Sequence, residues 1–231
     1  MPESFQEQQK KLIVEYEQSI SKGNIKSTFV AMQKDYANDG QICLTSVVFV
    51  PENISDKINK EVIEPLRHYD PDQYFYPVES LHLTIKNIRT INNPPLFDAK
   101  DIEKVDKLFS EIIPQFSKFN FAVEDVVIFP TSMSVAAFSD RILWDLVSSL
   151  DKGLKEIGVP DNKKYTSNSV YFGNITLCRF TKKPNDKFVK EARKFRNYKI
   201  GKMKVEKINL ITCNAVCYPK SLKIISEYKL R

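Results

Sequence analysis

An α/β fold of two similar lobes is what this sequence predicts, on three observations. A strand-like run of alternating apolar and polar residues, Leu81-His82-Leu83-Thr84-Ile85-Lys86, recurs about ninety residues later as Gly173-Asn174-Ile175-Thr176-Leu177-Cys178-Arg179. Stretches of helical period alternate with strand-like ones along the chain. The order of elements also runs in two passes: strand, helix, motif strand, helix, strand pair; then helix, motif strand, helix, two strands. Ligands in such architectures commonly bind in the crevice between lobes.

Taken in order, Phe5, Leu12, Ile13, Tyr16 and Ile20 recur at helical spacing from Ser4 to about Ile20, and Gly23-Asn24 ends that helix. A second helix is expected over Lys26–Ala37, with Phe29, Met32 and Tyr36 on one side, closed by the turn Asn38-Asp39-Gly40. Residues 1–40 thus read as a helical extension without chemistry of its own. Ile42–Val50 is β-branched and apolar, a central buried strand closed by Pro51. Asn53 or Ser55 caps a helix running to about Tyr69, which Pro65 kinks or shortens. Tyr74–Pro77 leads into the first motif strand. Beyond a polar loop, Asp98 or Asp101 starts an amphipathic helix that Pro114 stops. Strands follow over Phe119–Phe129 and Met133–Phe138. Ser139 or Asp140 caps a helix to about Ile157, ended by Gly158 and Pro160. The polar loop Asp161–Ser169 feeds the second motif strand, Val170–Phe180. Asn185 or Asp186 then caps a basic helix, and Val205–Cys213 and Leu222–Leu230 close the chain as strands.

The bulk numbers fit one bilobal domain over residues 41–231. Of 231 residues, 42% are apolar and 28% charged, enough for a sizeable core. No apolar run reaches the roughly 18 residues of a membrane span. The N-terminal residues lack the apolar stretch of a signal peptide, so a cytoplasmic location is expected. Cys43, Cys178, Cys213 and Cys217 show no zinc half-site spacing and read as buried reduced thiols. The net charge of +6 is concentrated: ten basic and two acidic residues between Lys182 and Lys204 give +8, leaving −2 for the rest. Such a strip fits a polyanion such as RNA, or a solvated helix face.

Period 2 puts Leu81, Leu83 and Ile85 on one side of the first motif strand and His82, Thr84 and Lys86 on the other. An imidazole, a hydroxyl and an ammonium in a row suit an anion better than a core. Asn174 and Thr176 share the corresponding face of the second strand, while strict alternation points Arg179 away from them. Tyr171 and Phe172 are placed to stack a base or to pack in the core. His68, near a helix end, reads as a surface or C-cap histidine.

His82-Leu83-Thr84, with Asn174-Ile175-Thr176-Leu177-Cys178-Arg179 where His-x-Thr-Leu-x-Arg is the pattern, and Phe49-Val50-Pro51-Glu52-Asn53-Ile54 at the first strand–helix junction, resemble the two-histidine (2H) phosphoesterases. These include the 2′-5′ RNA ligase-like cyclic phosphodiesterases, and the resemblance covers roughly Ile42–Leu230. It implies a bilobal α/β (α+β) fold: two pseudo-symmetric, mostly antiparallel sheets flanked by helices around a central cleft, with no metal and no cofactor. It implies that two histidines flank one phosphodiester as general base and general acid, and that each threonine hydroxyl bonds a phosphate oxygen. Carried onto this chain, the catalytic positions are His82, Thr84, Thr176 and Asn174, the last standing where the second histidine belongs. Arg179, Lys86 and Tyr171 are the expected substrate-binding residues, and the expected partners are RNA ends or cyclic nucleotides.

Elementary chemistry agrees about the difficulty at 174. In-line displacement at phosphorus needs a proton removed on one side and delivered on the other, and an imidazole of pKa about 6.5 suits both tasks. A carboxamide only hydrogen-bonds, so losing one partner costs about 10²–10⁴-fold. Three readings follow: a slowed phosphodiesterase with water as proton source, an inactive RNA- or nucleotide-binding relative, or an interaction protein with a vestigial cleft.

Overall fold

The computed structural model describes residues 3–24, 30–165 and 167–231. Helix α1 (Phe5–Ser21) opens on a capping box in which the Ser4 hydroxyl accepts the Glu7 N–H and the Glu7 carboxylate accepts the Ser4 N–H. Strand β1 (Ile42–Phe49) is buried on both faces, as its β-branched sequence requires. Helices α2 (Glu52–Ile58) and α3 (Glu64–Arg67) are joined through a π-helical turn, Asn59–Ile63. That turn lies just before Pro65, where the missing N–H and the ring would otherwise disrupt an α-helical turn, so the helix continues. It begins at Glu52 rather than at an Asn53 or Ser55 cap; the Ser55 hydroxyl donates to the Glu52 carbonyl from inside the first turn.

Strands β2 (Tyr74–Phe75) and β3 (His82–Asn92) precede α4 (Ala99–Ile112), capped by Asp98. Next come β4 (Phe119–Phe129), β5 (Ser132–Phe138), α5 (Ile142–Glu156), β6 (Gly173–Arg179) and α6 (Asp186–Arg193), the last capped by Asn185. The chain ends in β7 (Lys199–Val205), β8 (Lys207–Cys213) and β9 (Lys223–Lys229). Among the described residues, no helix is long and apolar enough to cross a membrane.

The strands form one antiparallel sheet in the order β7-β4-β5-β6-β3-β1-β8-β9, with β2 also on β6. It consists of two four-stranded halves with a motif strand innermost in each, joined by the single register pair Leu83–Ile175. Gly173 makes this approach possible, because a Cβ there would lie 2.5 Å from Leu83 Cδ1. The repeated unit is strand–helix–motif strand–helix, β1 to α4 and β5 to α6; the two passes read from sequence contain it, but the second ends in three strands rather than two. Leu44, Leu83, Ile85, Ile88, Ile175 and Leu177 join the main core with α2 to α6. Two smaller apolar clusters lie apart from it, one of Cys43, Val47, Ile211, Cys213 and Cys217, the other of Ile13, Val127, Ala136 and Phe138.

Two departures from the sequence reading concern the extension and the basic strip. Residues 30–37 of the expected second helix are not helical; the Asp35 carboxylate caps a turn at Ala37 and Asn38 instead, and Tyr36 is buried against Tyr74. The remainder of that expected helix, Lys26–Phe29, lies outside the described residues. Within the strip, residues 199–205 form β7, one edge of the sheet. Its period is broken at Ile200, which has no partner between the pairs Glu124–Lys199 and Val123–Gly201. Lys199, Lys202 and Lys204 are exposed along it, as suits an edge that must not pair with another chain.

Candidate active-site cleft

Leu83 and Ile175 face each other in the sheet and both enter the core, so their neighbours His82, Thr84, Asn174 and Thr176 all present to the opposite face. There they line one cleft of about 500 Å³, the size of a small-ligand site. The wall also includes Leu12 and Tyr16 of α1, and Lys163, Lys164, Tyr165 and Tyr171 of the loop before β6. The N-terminal extension is therefore part of the site. Gln9, fully buried, fixes α1 there: its amide N–H donates to the Tyr171 carbonyl (2.5 Å), and its amide oxygen accepts the Ser139 N–H (3.2 Å).

His82 is held in one tautomer. The Ser80 carbonyl, which can only accept, lies 2.7 Å from Nδ1, so Nδ1 carries the proton and Nε2 keeps its lone pair. Burial, with a smaller contribution from the Arg179 guanidinium, holds the imidazole below its usual pKa despite the Ser80 bond. Across the seam the Asn174 amide N–H groups point at Ser134 Oγ (3.4 Å) and Thr176 Oγ1 (3.5 Å), and Ser134 Oγ lies 3.4 Å from Thr176 Oγ1. All three contacts are long, so the Thr176 hydroxyl, which lines the cleft, keeps capacity for a ligand.

One-residue bulges decide which cations reach the cleft. In β3, Val47 pairs with Thr84 but Ser46 pairs with Lys86, leaving Ile85 without a cross-strand partner. The alternation is broken there, and Lys86 does not share the His82 face as expected. Its side chain is fully buried against the Asp151 carboxylate of α5 (2.8 Å) and that of Asp161. The Tyr165 hydroxyl donates to the same Asp161 carboxylate (3.0 Å). Lys86 thus anchors the loop that carries Lys163 and Tyr165, and the expectation that it touches substrate is corrected. In β6, Ser134 pairs with Thr176 but Met133 pairs with Cys178, leaving Leu177 unpaired. Leu177 and Cys178 both enter the core, and Arg179 returns to the cleft on the Thr176 side. Its buried Nε has no hydrogen-bond partner among the described residues.

Tyr171 lines the cleft with its ring stacked on Trp144 (centroids 5.0 Å apart, planes at 26°). The basic strip contributes nothing to the lining: no described residue from 180 to 212 borders the cleft. Lys182, Lys194, Arg196 and Lys204 are instead paired with Asp72, Glu191, Glu17 with Asp125, and Glu206. His68 is exposed at the C-terminal end of α3, away from the cleft. Sequence reasoning missed Lys163 and Lys164, whose only local signal was a polar loop, and Ser134, a buried position in an apolar strand that supports Asn174 and Thr176 from behind the lining. Burial, then the Arg179 charge, lowers the pKa of Lys163, whose Nζ sits 5.7 Å from the Tyr165 ring centre. Among the described residues, no three His, Cys, Asp or Glu side chains are arranged to hold a metal ion.

The charged residues lining the cleft are Lys163, Lys164 and Arg179, and no carboxylate joins them among the described residues. Such a lining suits an anion, with an imidazole lone pair beside it.

No family model matches the chain, and no curated protein does. Solved structures do match. TT0787 of Thermus thermophilus superposes with a TM-score of 0.59 at 16% identity, over 83% of this chain and 98% of that one. E. coli LigT complexed with 3′-AMP gives 0.57 at 14% identity, over 82% and 98%. E. coli LigT complexed with ATP gives 0.55 at 13%, over the same shares. The chain has the LigT fold, the architecture implied by the resemblance of its motifs.

Proposed function

We propose that this cleft binds the phosphate of an RNA end or a nucleotide, and that the protein is a 2H-type phosphodiesterase acting on 2′,3′-cyclic phosphates or 2′-5′ linkages. The observation that carries the proposal is the all-cationic, carboxylate-free lining around His82 Nε2 among the described residues. Nucleotide binding by the structurally similar LigT supports it. In this reading His82 Nε2 takes the proton from the attacking hydroxyl, Nδ1–H staying on Ser80. The Thr84 and Thr176 hydroxyls bond non-bridging oxygens, and Arg179 balances the charge that develops on them. Tyr171, already stacked on Trp144, offers an aromatic face to a base. Asn174 orients without titrating, so the leaving oxygen takes its proton from water or from Lys163, whose proton is loosened by burial and by Arg179.

Hydrolysis of a 2′,3′-cyclic nucleotide tests this. His82→Ala should lower turnover by about 10²–10⁴-fold while leaving nucleotide binding measurable. Turnover that is unaffected by the substitution would refute the assignment. A second reading, an inactive nucleotide-binding relative, is favoured by one observation: Asn174 stands where a second imidazole would have to be, and His68 lies elsewhere. Binding that weakens steeply with salt, without turnover, is its signature.

A further inference from the structure

Three of the four cysteines meet beside His82. Cys43 and Cys213 are a cross-strand pair of β1 and β8 with sulfurs 3.7 Å apart. Cys213 Sγ lies 2.8 Å from Cys217 Sγ, in the turn after β8, and Cys217 Sγ lies 3.7 Å from His82 Nε2. All three residues line the cleft, whereas Cys178 is enclosed in the main core.

We propose that Cys217 and Cys213 form a peroxide-reactive thiol pair, closing to a disulfide that alters His82. Cys217 faces a base: the Nε2 lone pair, free because Nδ1 is protonated, is placed to take the thiol proton. The Cys217 thiolate attacks a hydroperoxide, ROOH; an S–O bond forms, the O–O bond breaks, and the departing alkoxide takes the proton from His82. This gives Cys217 sulfenic acid and ROH. Cys213 then attacks the sulfenic sulfur, forming the S–S bond and releasing water. The net change is two thiols and ROOH to one disulfide, ROH and water. Cys213 needs to move less than an ångström, from 2.8 Å to the roughly 2.05 Å of a disulfide. The hydrogen bond to Cys217, with burial, keeps the Cys213 thiol protonated until then, which suits a resolving rather than an attacking thiol.

The modification reaches His82 by two routes. It removes the sulfur contact at Nε2. It also shifts the 214–217 turn, whose Cys217 carbonyl accepts the Ser80 hydroxyl (2.8 Å), and Ser80 in turn holds His82 Nδ1. A displacement of this kind costs on the order of 10²-fold in turnover. That effect on turnover rests on the phosphodiesterase reading; the disulfide and its effect on the imidazole do not.

The test treats the full chain with hydrogen peroxide, alkylates it after denaturation, and maps the cysteine peptides by mass spectrometry. The expected result is a Cys213–Cys217 disulfide reversed by dithiothreitol, with Cys178 still alkylated, and a shifted titration of the His82 ring proton by NMR. Cys213→Ser should stop the reaction at a Cys217 sulfenic acid trapped by dimedone, with thermal melting confirming that the variant is folded. Four alkylated thiols after peroxide, a Cys43–Cys213 disulfide instead, or an unmoved His82 titration would each overturn the proposal. An enzyme without turnover in the reduced state would count against the phosphodiesterase reading alone, since the peptide map and the NMR titration are unaffected by it.

Discussion

Strands β3 and β6 carry the two halves of the cleft, and each contains a one-residue bulge just past its threonine, with opposite outcomes. At Ile85 the bulge removes Lys86 from the cleft and delivers it to two carboxylates. At Leu177 it brings Arg179 into the cleft, leaving its Nε–H without a partner among the described residues. Two strands of similar sequence therefore divide the labour: one supplies the imidazole and an internal anchor, the other supplies the cation. What differs is the spacing of the cation, two residues past the threonine for Lys86 and three for Arg179, because one unpaired residue in a structure of period 2 reverses the face of everything beyond it.

The hardest test of this division is to give β6 what β3 has. Asn174→His should raise cyclic-nucleotide turnover by about 10²–10⁴-fold, the usual worth of one proton-transfer group. If turnover stayed flat in a folded variant, the second half-site would differ by more than that residue. Next in size is Lys86→Met, which leaves the buried Asp161 carboxylate without its cation, while Asp151 keeps Lys155 (2.6 Å). A loss of about 3–5 kcal/mol in denaturant unfolding is expected for a pair this buried. A cost below about 1 kcal/mol, the range of an exposed ion pair, would show that Lys86 is no anchor. Arg179→Ala should instead weaken nucleotide binding by about 1.5–3 kcal/mol, roughly ten- to a hundredfold in Kd, with a smaller stability loss than Lys86→Met. Equal behaviour of the two variants in both assays would erase the contrast.

The smallest effect is on pH dependence. In the proposed mechanism His82 acts in its base form, and its folded pKa lies below the ordinary 6.5, so kcat/KM should hold as pH falls through 6.5 and decline only below it. An acid limb centred above 6.5 in a wild-type profile would contradict the buried, neutral imidazole. The same shift makes folding less stable as pH drops from 6.5 to the folded pKa, because the unfolded chain binds that proton more tightly.

Most of the architecture was readable because local signals and tertiary demands agreed. Asp98 and Asn185 cap where capping chemistry puts them, and β4 has the limits its composition predicts. The motif strands were found for the same reason, since the faces of His82, Thr84, Asn174 and Thr176 are set before either bulge. Failures fall where a local pattern was overruled from a distance. Alternation alone sends Lys86 into the cleft and Arg179 out of it because it does not register a bulge, although the motif resemblance already placed Arg179 at the substrate, and β7 is hidden by the unpaired Ile200 amid lysines. Residues 30–37 have helical spacing, but Tyr36 is buried against Tyr74 and the Asp35 cap turns the chain. The cationic loop residues Lys163 and Lys164 reach the cleft through an ion pair between residues 86 and 161, which nothing in the loop itself announces.

The single rung Leu83–Ile175, permitted by Gly173, has a consequence for how this protein can change over generations. Each half-site is hydrogen-bonded within its own four strands, so the ladders meet at one register pair, while the core beneath is shared. Stability effects of cleft-facing substitutions that share no contacts should then add, whereas their effects on turnover at one shared phosphate should not. In the proposed reading, asparagine rather than histidine at 174 leaves the His82 tautomer untouched, since Ser80 on the other side sets it. The seam thus lets the cleft-facing side chains of the two halves change one at a time.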